Sequence, residues 1–156
     1  MDEIIYSKIL KLLRTRDRSE KEILEFLKKS GVSESDSAFA IDRLRSSKLI
    51  SDTRFAENKI RSRIQNQHWG KEKIKLELIE FGISEEIILS EISKIEDSVW
   101  LENCESIITR NPIHKKNQIE VFKLKKKLFQ MGYPQDTIKK AFTNQSISEE
   151  IEYDLE

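Results

Sequence analysis

Two histidines, one cysteine and a large set of lysines and arginines are the residues of this chain whose chemistry could reach beyond packing. His68 and His114 are far apart, and neither has a Cys or a second His at the spacing a metal site needs. His68 suits a helix end, where a partly charged imidazole meets the helix dipole. Cys104 falls on one helical face with Trp100, Ile107 and Ile108, which reads as a small buried hydrophobe rather than a nucleophile. Nothing in the chain matches a phosphate-cradling Gly-rich loop, a nucleophile elbow or a His–Glu–x–x–His helix. The expectation is a protein that is not an enzyme and uses no metal and no cofactor.

The cations are the better candidates. Arg54, Arg61 and Arg63 follow one another along a single segment, and Arg binds carboxylate or phosphate bidentately. For Arg61 and Arg63 contact with a partner is the favoured reading; the alternative is pairing within one helix, as of Arg61 with Glu57 four residues earlier, contributing only about 0.3–0.5 kcal/mol. Lys71 and Lys75 are one helical turn apart and can share a patch; Lys123, Lys126 and Lys127 stand at i, i+3 and i+4. Trp69, between two basic stretches, can either stack on a nucleobase or pack the turn between two helices. Trp100 belongs to an apolar stripe and is expected in the core.

The whole chain has 156 residues, with 28 Lys+Arg balanced by 28 Asp+Glu. The balance is not local. Residues 1–50 carry 11 bases and 9 acids, residues 51–95 carry 8 and 8, residues 96–145 carry 9 and 6, and residues 146–156 carry five acids and no base. The stretch from Arg110 to Lys140, with Lys115, Lys116 and Lys125 among its nine bases, is an electrostatic footprint for a polyanion, although a solvated lysine-rich helix face has the same composition. The acidic tail either folds back on it and competes with an external polyanion, or is a frayed acidic terminus that aids solubility.

The elements that must position these groups are helices. Only 4 Gly and 2 Pro occur, no strand-like alternation is seen, and Gly31, Gly82 and Gly132 each end an amphipathic stretch just before Val32, Ile83 and Tyr133. That pattern is a helix closed by a left-handed glycine with an apolar residue folding back over its last turn. Ser33, Ser84 and Pro134 then start the next helix, Ser33 with Asp36 as a capping box. The glycines lie 51 and 50 residues apart, and at that offset Ile23, Ile74 and Leu124 correspond, as do Leu27, Leu78 and Leu128. A further helix precedes each pair, at about residues 4–16, 52–67 and 97–110. The reading is all-α: three tandem three-helix repeats (1–50, 51–95 and 96–145) in an elongated, curved helical body, then an acidic tail (146–156).

The longest apolar run, Ala38–Phe39–Ala40–Ile41, is far short of the ~20 residues a membrane span needs, so no membrane association is expected. A single Cys excludes an intrachain disulfide. The acidic start, Met1–Asp2–Glu3, lacks the basic region of a signal peptide, so the expectation is a soluble cytoplasmic protein. With no long heptad seam, a monomer is expected.

The central segment is the most distinctive. It reads Asp52–Thr53–Arg54–Phe55–Ala56, then basic Arg61–Ser62–Arg63, then Trp69–Gly70–Lys71, then Ile74–Lys75–Leu76–Glu77–Leu78, then Gly82–Ile83, with Asp52 in the N-cap position. This order resembles the RecX family of regulators of the RecA recombinase. The first repeat supports the resemblance through Arg18–Ser19, Glu22, Leu27 and Gly31, and the third through Lys123–Leu124, Leu128 and Gly132–Tyr133. Ser51 departs from it, since a second acidic residue is common there, and the acidic tail lies outside it. The resemblance implies a non-enzymatic protein of DNA recombination, repair and the SOS response. Its partner would be the RecA filament on single-stranded DNA, in whose groove such proteins dock, suppressing ATP hydrolysis, strand exchange and filament growth. Two other functions fit the residues: a general nucleic-acid binder, with a steep salt dependence, and a helical adaptor unrelated to recombination.

Overall fold

The computed structural model describes residues 2–113 and 117–153, with side chains through Gln145. His114, Lys115 and Lys116, and the acidic Asp154 and Glu156, fall outside the described residues. The described chain is all-α: α1 (Glu3–Thr15), α2 (Glu20–Lys29), α3 (Glu34–Ser46), α4 (Asp52–Ser62), a π-helical turn (Arg63–Gln67), α5 (Lys71–Glu80), α6 (Glu85–Ser93), α7 (Asp97–Arg110), α8 (Gln118–Gln130) and α9 (Gln135–Tyr153). The three helices expected ahead of each glycine pair are α1, α4 with its π-helical turn, and α7. Their ends differ from the sequence reading by no more than one residue.

All three glycine turns are left-handed, with φ of 78° at Gly31, 79° at Gly82 and 100° at Gly132. In each, the following N–H reaches back to the carbonyl five residues earlier: Val32 to Leu27 at 3.0 Å, Ile83 to Leu78 at 3.0 Å and Tyr133 to Leu128 at 3.1 Å. Carbonyls at the helix ends are thereby satisfied, and Ile83 and Tyr133 are buried over the last turn. A fourth turn of this kind was not legible, because a lysine occupies the glycine position. Lys48, after α3, has φ 60°, and Leu49 N–H bonds to Leu44 O at 3.0 Å. Left-handed backbone costs an L-residue about 1–2 kcal/mol, and glycine's extra unfolded freedom gives back about 0.5–1. Lys48→Gly is therefore expected to raise the urea midpoint, by up to about 1 kcal/mol in stability.

Helix starts follow hydroxyl chemistry. Ser19 and Glu22 form a reciprocal capping box on α2, while Ser33 accepts from Asp36 N–H and Ser84 from Ile87 N–H. Glu22 is also paired with Arg16 and lies 3.7 Å from Arg18. Its burial, the largest single influence, pushes the carboxyl pKa up. Arg16, the Ser19 N–H and the Arg18 charge together outweigh that and hold it below the ordinary value.

The chain closes into two compact units, residues 1–59 with 77–91 and residues 60–76 with 92–156, so the second repeat is divided between them. Unit one has a core of Ile9, Ile23, Leu27, Ala40, Ile41, Leu44 and Ile50. Unit two has a core of Cys104, Ile107, Ile108, Leu124, Leu128, Tyr133, Ile138, Ala141 and Phe142. Cys104 is fully buried, and burial with the nearby Glu105 charge pushes its thiol up to about 12, so it is the inert core residue its helical face implied. Trp100 is likewise buried.

The Asp52–Ala56 segment is a junction in unit one. Ser51, not Asp52, caps α4, its Oγ accepting from Arg54 N–H at 3.2 Å, which corrects the expected N-cap. Asp52 instead accepts the Glu20 N–H at 2.9 Å and so serves the start of α2. Desolvation there raises its carboxyl pKa, with the Glu20 charge adding to the rise. Arg54 donates to the carbonyls of Lys48 (3.1 Å) and Leu49 (3.3 Å) and lies 3.6 Å from Asp17. Phe55 and Ala56 are buried, and the Phe55 ring meets Phe81 with centroids 5.0 Å apart. Asp52, Arg54 and Phe55 thus pin one helix to the start of α2, the end of α3 and the α5–α6 turn.

A cationic corner and a basic helix face in unit two

After Ser62 the helix widens into the π-helical turn and ends at His68, whose φ of 55° is left-handed. His68 sits at a helix end, as its chemistry suggested. The Trp69 N–H returns to the Arg63 carbonyl at 3.2 Å, which folds the indole onto the helix it has just left. The Arg63 guanidinium lies 4.5 Å from the indole centroid, and the Lys73 ammonium, from the first turn of α5, lies 4.1 Å from it. Each such contact contributes about 0.5–2 kcal/mol, depending on how far water is excluded. Trp69 is half-buried in this corner, and its ring already serves two cations.

The corner is held by backbone. Gly70 N–H donates to Met131 O at 2.8 Å and Glu72 N–H to Gly132 O at 2.9 Å, so unsatisfied donors at the start of α5 meet unsatisfied acceptors at the end of α8. The buried Tyr133 hydroxyl donates to His68 O at 2.5 Å, and burial raises its pKa. His68 Nε2 lies 3.4 Å from Arg110 Nη1, a group that can only donate. His68 Nδ1 is buried without a hydrogen-bond partner among the described residues.

The candidate cations are placed as follows. Arg54 lies in the unit-one junction, on carbonyls and Asp17. Arg61 is exposed on α4 and Arg63 is half-buried on Trp69. Lys71 lines a cleft of about 370 Å³ with Asp97, Ser98, Asp136, Thr137 and Lys140. Lys75 Nζ is 3.4 Å from Glu72 Oε1, so it turns toward a carboxylate rather than into a bare pair with Lys71. Lys123, Lys126 and Lys127 are exposed on α8.

One feature of α8 escaped the sequence reading. Ile119, Phe122 and Phe129 are exposed at 68%, 66% and 58%, while Leu124 and Leu128 hold the helix to the core. The signal was available, because one helix carries two apolar stripes where the core can take only one.

Tandem three-helix units without strands among the described residues, presenting cations at a helix corner and along one helix, define a helical-repeat protein. Comparison with known proteins makes that class specific. The family model of the RecX first three-helix domain matches residues 6–44, and that of the second three-helix domain matches residues 51–89. The chain belongs to the RecX family. It is 32% identical over 142 residues to the regulatory protein RecX of Clostridium perfringens, covering 86% of this chain and 66% of that protein. It is 34% identical over 143 residues to that of Listeria monocytogenes, covering 89% and 49%. Against that of Oceanobacillus iheyensis it is 29% identical over 154 residues, covering 97% and 57%. The chain thus spans about half to two thirds of the length of these relatives. The crystal structure of RecX from Lactobacillus salivarius shares the fold, with a TM-score of 0.82 at 23% identity, covering 93% of this chain and 96% of that one. A second RecX crystal structure gives 0.80 at 22%, covering 90% and 72%. These relatives are named regulatory proteins, and no helix among the described residues is long and apolar enough to cross a membrane.

Proposed function

We propose that this chain regulates the RecA recombinase, mainly as an inhibitor, acting in the cytoplasm within DNA recombination, repair and the SOS response. It binds the groove of the RecA–single-stranded DNA filament and suppresses ATP hydrolysis, strand exchange and filament growth. Contact with the DNA itself is weak or made through the filament. The observation that carries this reading is the match to both RecX three-helix domains across α1–α6. The cations support it, because Arg61, Arg63 and the exposed lysines of α8 offer separate anion-binding patches on one chain, and two weak contacts multiply when both engage at once.

The test is DNA-dependent ATP hydrolysis by RecA with this protein titrated below one molecule per RecA. Inhibition at those ratios is expected, because a protein that blocks filament growth acts on many protomers. Unimpaired hydrolysis in the presence of a protein shown to be helical and folded would move the reading to a nucleic-acid binder or an adaptor. Duplex binding with a salt slope of about −0.9 per phosphate then separates those two.

A further inference from the structure

α8 uses only one of its two apolar stripes. Leu124 and Leu128 are buried against Ile138, Ala141 and Phe142 of α9, whereas Ile119, Phe122 and Phe129 are exposed. With Lys126, those three fall at i, i+3, i+7 and i+10, which is one helical face, and Lys123 and Lys127 flank it in the open. An exposed aromatic stripe rimmed by one sign of charge marks an interaction surface. Its chemistry specifies the occupant: a helix with its own apolar stripe and an acidic remainder.

This chain contains such a segment. Residues 146–156 place Ile147, Ile151 and Leu155 at i, i+4 and i+8 and carry Glu149, Glu150, Glu152, Asp154 and Glu156 without a base. The backbone is helical through Tyr153, the last residue of α9. α9 runs beside α7, with Asn144 Nδ2 donating to Glu105 Oε1 at 2.7 Å and Gln145 Nε2 reaching Thr109 Oγ1 at 3.5 Å. The exposed stripe of α8 faces away from the side on which Leu124 and Leu128 meet α9.

We propose that residues 146–156 of one copy dock as a helix on the Ile119–Phe122–Phe129 face of α8 in a second copy. The contact is head to tail, because each copy carries both the segment and the face. It covers Lys123, Lys126 and Lys127, so self-association and polyanion binding compete for the same lysines. The inference stands on the exposed face and the tail alone and is independent of the RecA reading.

Sedimentation equilibrium of the full chain from about 10 to about 300 μM is the test, the range in which a single helix-in-face contact is populated. Association that rises with concentration and weakens with salt is expected. A face variant, Phe122→Asp with Phe129→Asp, and a tail variant, Ile147→Asp with Ile151→Asp, should each weaken self-association by about tenfold or more. Mixing the two variants should restore a one-to-one complex, since one keeps the tail and the other the face. A full chain monomeric throughout, association that survives in both variants, or a mixture that fails to pair would overturn the proposal. A labelled peptide of residues 146–156 added to the tail variant gives an independent reading that requires no substitution in the face. Binding reversed by salt supports the proposal, and no binding refutes it.

Discussion

Gly70→Ala and Gly132→Ala will each lower the stability of this protein by about 3 kcal/mol or more, while Gly31→Ala will lower it by about 1. The difference comes from what a methyl group would meet. At Gly70 an added Cβ lies 2.3 Å from Gly132 C, 2.4 Å from Tyr133 N and 2.5 Å from Gly132 O, all backbone atoms of the α8–α9 turn. At Gly132 it lies 2.4 Å from Lys73 N and 2.8 Å from Gly70 O, in a residue that already needs φ of +100°. Backbone cannot swing aside as a flexible side chain can, so the start of α5 and the end of α8 must separate. Separation breaks Gly70 N–H to Met131 O, Glu72 N–H to Gly132 O and Tyr133 Oη to His68 O, each contributing about 1 kcal/mol net, and opens the pocket around buried Tyr133. Gly31 has nothing within 4 Å, which leaves only the cost of its left-handed backbone. Gly82 falls between, because its added Cβ meets atoms of the Lys21 side chain, which can move. Urea unfolding of the four alanine variants, compared by midpoint at constant slope, checks the order. Equal losses at Gly31 and Gly132 would refute the close backbone contact.

That contact also explains what was and was not legible in the sequence. The three left-handed glycines, their apolar followers and the repeat could be read because they are local: a glycine, an apolar residue and then a serine or proline determine a turn and the next helix start. Lys48 occupies the same kind of turn but carries no local mark of it. Gly70 was visible beside Trp69, yet its partner Gly132 lies 62 residues on, and no spacing rule joins them. The candidate cations divide in the same way. Their exposure on helices was readable, but what each one faces depends on groups distant in sequence, as with Arg54 and Asp17 or Lys71 with Asp97 and Asp136. The motif that carried the family resemblance is itself largely architectural. Asp52, Arg54 and Phe55 make contacts within unit one that hold helices together, and Ala56 is buried. A motif can identify a family through its scaffold while the residues that meet a partner lie elsewhere.

The second prediction follows from that division. Arg54→Met should lower stability by about 1–2 kcal/mol, because the Lys48 and Leu49 carbonyls at the end of α3 lose their donor and Asp17 loses its cation. Per folded molecule, its inhibition of RecA should stay unchanged. Arg61→Gln combined with Arg63→Gln should do the reverse. Lys73 remains 4.1 Å from the Trp69 centroid when Arg63 is gone, so the corner keeps one of its two cations. The loss of stability should be no larger than about 0.5–2 kcal/mol, that of the lost cation–ring contact, with the loss of inhibition exceeding it. A charge-assisted hydrogen bond from Arg to a carboxylate or phosphate contributes about 1.5–3 kcal/mol, so losing one or two should raise the half-inhibitory concentration about tenfold or more. Thermal unfolding and the RecA hydrolysis assay on the same preparations separate the two effects. If Arg54→Met abolished inhibition while remaining folded, the junction would itself be part of the interface. If the double variant inhibited like the parent, the α4 corner would leave the binding surface, and Lys123, Lys126 and Lys127 on α8 would be the cations to substitute next. The arginine pair is the sharper choice because its planar guanidinium groups bind two oxygens at once, which glutamine and lysine cannot reproduce.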